Sequence, residues 1–600
     1  CLSRVWVFVY VIFHSTLFHE GLLPYLTISL YIEKGFIKTL SSVWSDTIKK
    51  NVIKNARTFA IMRSRKLKFI VSIFSLFVVY LFIFHVVLLK LFGRRNGHVI
   101  NSSVFFNYVV VHLDLKGAPP KLEYLESLLP MFRDYGVNGL LMEYEDMFPY
   151  EGKLVNISAK NSYDRNELKQ FLIQSIEFGL EIIPLVQTFG HIEHALKLQE
   201  FRHLRELPKF PDSMCPSRAA SIQLIKNMLE QVIKFHLSIA PLKYFHIGCD
   251  EVFHINKCKL CRSKNITDIN LFYNHVHKVD LIVQQLSPHT TVLIWDDMLR
   301  GNNGLESTTV DLSNIEPVYW DYRPQLSVTH VDLLNHHKKF KNIWIASAFK
   351  GADGRVATIP HFKNRFNNNL CWLDFIANYR FGGERNVFNF KGIILTGWSR
   401  YSHMDPLCEL LPVSMPSLML NLLLIKRMKK GIFLADATNL DFDEFYIKYL
   451  VTEFQEIFKC KDLVYIDEFD STTCTFHTSN LYNELKKYNS LKSDIDERFS
   501  CDDSMFSSIE YYSMRKNINQ NMVQSNMKWC KDILKTLSGL EKTIKKHMSS
   551  YYEKDVIDEY VGYKMHVTAS RVWGAWKILK SYSETRNWDR RPYHNNDTLS

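Results

Sequence analysis

The stretch Lys243-Tyr244-Phe245-His246-Ile247-Gly248-Cys249-Asp250-Glu251 combines a short apolar run, a glycine and two adjacent carboxylates. An apolar run of this length, bounded by a glycine and charged residues, has the pattern of a strand buried on both faces. Working outward, similar runs stand on either side: 181–187 (EIIPLVQ) and 291–295 (TVLIW), then 138–143 (NGLLME) and 316–320 (EPVYW). Beyond these come 108–115 (YVVVHLDL), 342–347 (NIWIAS) and 391–397 (KGIILTG). Amphipathic stretches such as 121–134, 164–179, 217–239 and 405–428 lie between them. Eight buried strands alternating with helices over residues 105–430 predict an α/β fold, a (β/α)8 TIM barrel, in preference to an open doubly wound sheet. No G-x-G-x-x-G follows the first strand, so a dinucleotide fold loses its main support and no cofactor is expected.

In such a barrel the chemistry sits at the C-terminal strand ends. Strand one ends at Asp114 and Lys116, strand two at Glu143, Glu145 and Asp146, and strand three at Gln187 and His191. Strand four delivers Asp250 and Glu251, strand five Trp295, Asp296 and Asp297, strand six Trp320, Asp321 and Tyr322, and strand eight Trp398 and Tyr401. Tryptophan faces pack against the apolar C–H face of a sugar ring and carboxylates bind its hydroxyls, so three rim tryptophans among acids point to carbohydrate. Strand seven ends in Ser347-Ala348-Phe349-Lys350, with no carboxylate before Asp353. An ordinary retaining glycosidase has two carboxyl groups about 5 Å apart, often from different strands. Here the acids come as a pair on one strand.

His246-Ile-Gly-Cys-Asp-Glu251 at the end of strand four resembles the H-x-G-x-D-E block of glycoside hydrolase family 20, the β-N-acetylhexosaminidases. Further blocks match in order: HLDLKGAPPK (112–121), MEYEDMFPYEG (142–152), QTFGHIEHALK (187–197), WDDMLR (295–300), AFKGA (348–352) and GWSRY (397–401). The resemblance covers residues ~108–430 and implies substrate-assisted retaining hydrolysis of terminal N-acetylgalactosamine or N-acetylglucosamine, an exception to the two-carboxylate scheme. It implies that Glu251 is the general acid and base, and that Asp250 orients the 2-acetamido group whose oxygen attacks the anomeric carbon. Asp250, staying ionised, is expected to raise its neighbour's pKa by repulsion. The expected substrate-binding set is Asp114, Lys116, Glu145, His191, His246, Trp295, Asp296, Trp320, Trp398 and Tyr401. Most members of the family carry an arginine near Lys116; lysine lacks the bidentate fork, so the hydroxyl contacts are expected to differ. Two alternatives stay open at this stage: a catalytically silent, membrane-anchored glycan-binding protein, and a retaining glycosidase on hexosides without an acetamido group.

The formal net charge of +12 is uneven. Residues 1–100 hold 14 lysines and arginines against Glu20, Glu33 and Asp46, which leaves the other 500 residues nearly neutral. No basic groove follows, and nucleic acid is not an expected partner. Residues 69–92 (FIVSIFSLFVVYLFIFHVVLLKLF) are apolar over the ~20 residues that a spanning helix takes, which predicts a transmembrane helix. Eight basic residues lie between Lys49 and Lys68, so residues 1–68 are expected in the cytoplasm. The barrel is then lumenal or extracellular, in a single-pass type II arrangement of the secretory pathway. Sequons at Asn101, Asn156, Asn265 and Asn596 fit that orientation. A cytoplasmic location is the alternative if residues 1–100 are set aside, and no function is assigned to residues 1–31.

The 11 cysteines do not form a disulfide framework. Cys258 and Cys261 make a C-x-x-C, but no second pair stands at metal-site spacing; a loop disulfide or two free thiols is favoured and no metal is expected. This CKLC segment is expected over the pocket, as a lid or a wall on the aglycone side. Residues 431–600 show helical stretches with long polar faces, such as 479–495 and 522–550, and no motif. A helical region packed on the barrel, supporting stability or a homodimer, is expected there.

Overall fold

The computed structural model describes residues 106–300, 310–328, 339–381, 389–429, 450–460, 474–500 and 518–588, together with the single positions 333, 506 and 590. Eight parallel strands close into a barrel: β1 (Tyr108–Asp114), β2 (Gly139–Glu143), β3 (Glu181–Leu185), β6 (Tyr244–His246), β7 (Thr291–Trp295), β8 (Ile315–Trp320), β9 (Asn342–Lys350) and β10 (Asn389–Gly397). Each barrel strand pairs with its sequential neighbour in the barrel, and β10 closes on β1. A small antiparallel hairpin, β4 (Arg205–Leu207) and β5 (Phe210–Met214), interrupts the β3-to-β6 crossover. Its residues carry little apolar alternation, which is why the pattern of the sequence passes over it.

The barrel interior is packed solid. Val110, Leu141, Ile183, Leu293, Val318 and Ile394 fill it around Trp295 and Trp344. Trp344 fits because Gly392 has no side chain: a Cβ there would lie 2.4 Å from the indole ring. A second, larger apolar layer joins the outer faces of the strands to the helices. Those helices include α1 (Leu122–Asp134), α2 (Arg165–Glu177), α3 (Ala219–Leu237), α4 (Asp268–Leu286), α5 (Phe362–Phe381) and α6 (Met415–Lys429). Local chemistry sets some of their starts. Asp164 caps α2 by accepting from the Asn166 and Glu167 amides at 2.8 and 3.1 Å, and Thr267 caps α4 through the Asn270 amide.

All eight expected strands are present, with ends that differ: the third stops at Leu185, two residues short, and the seventh runs on to Lys350. The fourth barrel strand stops at His246, two residues short of the expected end. Gly248 (φ +68°), Cys249 (φ +70°) and Glu251 (φ +48°) adopt left-handed backbone and turn the chain out of the sheet. For non-glycine residues each such conformation costs about 1–3 kcal/mol, so the surrounding packing must enforce it.

After the barrel the described chain is helical, in α7 (Ser479–Ser500), α8 (Gln520–Met548), α9 (Lys554–Val561) and α10 (Val567–Ser583), with a wide turn at Gly562–His566 between the last two. A disulfide joins Cys460 to Cys474. These helices are tied to the C-terminal end of the barrel. The Lys121 amide donates to Tyr551 O at 2.8 Å, the Tyr552 hydroxyl accepts from the Leu411 amide, and the Thr478 hydroxyl donates to Pro412 O.

The membrane expectations require correction. Among the described residues no helix is long and apolar enough to cross a membrane, so neither the transmembrane part of the expected fold nor a single-pass type II arrangement is carried by this structure. The apolar stretch 69–92 that suggested them lies outside the described residues, as do residues 1–68. An apolar run meets the length requirement for a span without determining that one forms. Of the four sequons, Asn156 and Asn265 are exposed, while Asn101 and Asn596 lie outside the described residues.

Candidate active site

A pocket of about 920 Å³ opens at the C-terminal end of the barrel. Its floor is aromatic. Trp295 and Trp398 have ring centroids 5.7 Å apart, and Trp320 stacks on Tyr322 at 5.3 Å. Trp295 borders the cavity but is buried, as part of the packing inside the barrel.

The acid pair enters this pocket on the turn after β6. Asp250 is largely buried, whereas the Glu251 side chain is 39% exposed. One Asp250 oxygen accepts from Gln187 Nε2 at 3.0 Å, and the same glutamine accepts the Cys249 amide through its own oxygen at 3.2 Å. Gly248 must lack a side chain, because a Cβ would fall 1.8 Å from Gln187 Oε1. Gly190 is restricted likewise, since a Cβ there would lie 2.1 Å from the Asp250 carbonyl oxygen. The Glu251 amide donates to Asp297 Oδ2 at 2.8 Å, and the indole of Trp320 donates to the other Asp297 oxygen at 3.3 Å.

His191 bridges the two acids, with Nε2 3.1 Å from Glu251 Oε2 and 3.7 Å from Asp250 Oδ2. Burial alone would lower its pKa, but Asp250 and the hydrogen bond to Glu251 overcome that and raise it to about 10. The ring is therefore an imidazolium at neutral pH. Burial pushes Asp250 upward, against the pull of His191. Burial and the Asp250 charge also raise Asp297 to about 7.

Beside the tryptophans lies a charged cage. Lys116 Nζ is 2.9 Å from Glu143, 3.3 Å from Asp114 and 3.9 Å from Glu145, and sits 4.7 Å over the Trp398 ring. Burial would lower its pKa, yet the three carboxylates outweigh burial and hold it well above the ordinary value. Glu143 is held far below the usual carboxylate range, as Lys116 and His112 overcome its burial. Burial raises Glu145 to about 7, although His403 Nδ1 lies 2.7 Å away. Lys116 reaches the pocket as a member of this cage, with its donors already engaged.

The expected residues do not all meet the cavity. Lys116, His191, Asp250, Glu251, Trp295, Trp320, Trp398 and Tyr401 line it. Asp114 and Glu145 stand behind Lys116. His246 is fully buried 4.5 Å from Trp295, and burial lowers it to about 3, so it is a neutral core ring. Asp296 is buried and spent on Arg300, whose Nε and Nη2 donate to it at 2.8 and 2.6 Å; its neighbour Asp297 is the residue that holds Glu251. The CKLC segment does not line the pocket either, and its cysteines turn towards β4–β5. Gln187, Tyr322, Arg323, Asp353 and Arg365 are among the further lining residues, and none belongs to the expected set. For Gln187 and Tyr322 the signal was their place at a strand end; Arg323 and Asp353 stand in loops and Arg365 on α5, where no pattern marked them.

The family model for the glycosyl hydrolase family 20 catalytic domain matches residues 143–325, which hold Gln187, the acid pair, Asp297 and Trp320. The chain belongs to glycosyl hydrolase family 20 and is a glycoside hydrolase. Hexosaminidase D of Homo sapiens is 42% identical to it over 338 residues, spanning 55% of this chain and 67% of that protein. Hexosaminidase D of Bos taurus is 42% identical over 318 residues, spanning 52% of this chain and 89% of that protein. Among solved structures, a β-N-acetylhexosaminidase from Bacteroides fragilis aligns with a TM-score of 0.42 and 15% identity, over 58% of this chain and 70% of the other.

Proposed function

We propose that this chain is a β-N-acetylhexosaminidase that removes terminal N-acetylgalactosamine or N-acetylglucosamine with retention, the substrate's own acetamido oxygen serving as nucleophile. The observation that carries this reading is the origin of the acid pair, Asp250 and Glu251, from consecutive residues on one turn, with no arginine or lysine among the described residues paired to either. A nucleophile and an acid that flank a glycosidic bond must approach from different sides. The other carboxylates that line the pocket are paired with arginines: Asp321 accepts from Arg323 Nε and Nη2 at 2.9 and 2.6 Å, and Asp353 pairs with Arg365 at 3.2 Å. In this reading the sugar ring lies on the tryptophan floor. Glu251, the more exposed acid, protonates the leaving oxygen and then deprotonates the incoming water. Asp250, held by Gln187 and beside the His191 imidazolium, turns the acetamido group towards the anomeric carbon. It then balances the positive charge that develops on that group's nitrogen. Lys116, backed by Asp114, Glu143 and Glu145, borders the sugar ring on the side of Trp398. The name shared by the two mammalian relatives supports the same substrate class.

The test is a cyclic thiazoline that mimics the oxazolinium intermediate. It should inhibit competitively and bind ~10²-fold or more tighter than the free sugar product. Asp250→Asn should weaken the thiazoline far more than the product. A glycosyl–enzyme adduct trapped by a fluorosugar, detected by mass spectrometry, would overturn substrate assistance.

A further inference from the structure

We infer that Cys215, Cys258, Cys261 and Glu206 form a closed structural zinc site that fastens the turn carrying Glu251 to the β4–β5 hairpin. The C-x-x-C seen in the sequence lacks a second pair, and folding supplies the missing ligands from 43 or more residues upstream. Cys215 Sγ is 3.5 Å from both Cys258 Sγ and Cys261 Sγ, and Cys261 Sγ is 3.3 Å from Glu206 Oε2. One ligand atom from each of the four residues lies within 4.8 Å of the other three. Tetrahedral zinc with bonds of ~2.3 Å to sulfur and ~2.0 Å to oxygen requires ligand atoms roughly 3.5–3.8 Å apart. A disulfide requires ~2.0 Å between sulfurs, and these three cysteines are free thiols.

Three further features favour a metal. Glu206 is 1% exposed, and among the described residues no lysine, arginine or histidine pairs with it. A buried carboxylate without a cation is costly, and zinc would provide one. Its second oxygen is already oriented, accepting from the Lys257 and Cys258 amides at 2.6 and 2.7 Å, which turns Oε2 towards the thiols. The Cys261 amide points at Cys258 Sγ from 3.4 Å, and the Ser217 hydroxyl lies 3.2 Å from Cys261 Sγ, both suited to stabilising thiolates. Binding would release the three thiol protons to solvent and leave the sulfurs as zinc-bound thiolates. Four protein ligands leave no open position, so the role is structural. Its position gives that role a consequence. The hairpin touches the loop of His191, with the Ile192 amide donating to Asp212 O at 3.2 Å. It also touches the loop after Glu251, with His254 Nδ1 2.8 Å from Asp212 Oδ2. Zinc would therefore tie together the two segments that bear the acid pair and its imidazolium.

The test uses the full chain purified under reducing conditions and dialysed to remove loosely held metal. Elemental analysis should find one zinc per chain in the wild type and none in the Cys215→Ser/Cys261→Ser double variant. Stripping the wild type with a strong chelator should lower Tm by at least ~5 °C, with recovery on adding zinc but not magnesium. Should the double variant fail to fold, cobalt added to stripped wild type decides the matter: thiolate-to-cobalt charge transfer and intense tetrahedral d–d bands are expected. Absence of those bands would overturn the proposal. So would sub-stoichiometric zinc after zinc loading, full zinc retention by a folded double variant, or a mass showing two of the three cysteines joined as a disulfide.

Discussion

On the β6 side of the pocket, the groups around the acid pair belong to a few short segments: 187–191, 248–251 and 295–297. On the opposite side, the lining loops are held by residues far downstream. Arg400 Nη1 and Nη2 donate to Glu559 of α9 at 2.5 and 2.8 Å, across 159 positions. Lys564, in the turn before α10, donates to Val356 O and Ala357 O at 2.6 and 3.1 Å, across more than 200 positions. The Thr358 hydroxyl donates to Asn489 of α7 at 2.6 Å. The first wall is strained and dense with buried charge, and three of the four residues 248–251 are left-handed. The second is a set of ordinary loops buttressed from outside. The difference suggests a division of labour, with chemistry on the β6 wall and substrate accommodation on the wall supported by the C-terminal helices.

The largest test of that division is Glu251→Gln. It should lower kcat on an unactivated glycoside by ~10²–10⁴ while leaving product affinity nearly intact. A near-normal rate would remove Glu251 from the role of acid and break the comparison at its centre.

A second test uses the charge on the β6 wall. His191 has a folded-state pKa of about 10 against an ordinary 6.5, so its ion pairs contribute stability that is complete below pH 6.5 and lost as pH rises through 10. His191→Asn suits the left-handed backbone at this position (φ +48°) while removing the charge. Urea unfolding should show the gap between wild type and variant widest near pH 6.5 and closing towards pH 10. A gap independent of pH would mean that His191 contributes by packing alone.

The smallest effect is expected on the far wall. Lys564→Met removes the charged donor to the Val356 and Ala357 carbonyl oxygens and should cost about 1–3 kcal/mol in unfolding free energy. The loop 353–361 should loosen, so KM should rise while kcat holds. A fall in kcat with KM unchanged would place that loop in the chemistry and erase the distinction between the walls.

Local pattern in the chain was enough to reveal the strands and the acid pair. A buried parallel strand must be almost wholly apolar, so each of the eight is visible as a run. A site at strand ends must then follow those runs within a few residues, which exposes Asp250, Glu251, Trp295, Trp320 and Trp398. Which neighbour performs which task depended on the folded arrangement. Asp296 and Asp297 are adjacent acids, yet the twist of the chain after β7 gives the first to Arg300 and the second to the Glu251 amide. His246 stands in the most telling motif of the chain, yet its direction at the strand end places it under Trp295. Glu206 and Cys215 carry no pattern that links them to Cys258 and Cys261, and Glu559 and Lys564 none that links them to the pocket. Such contacts depend on how separate elements pack, and a side chain's partner across 40 or 200 residues leaves no periodic trace in the chain.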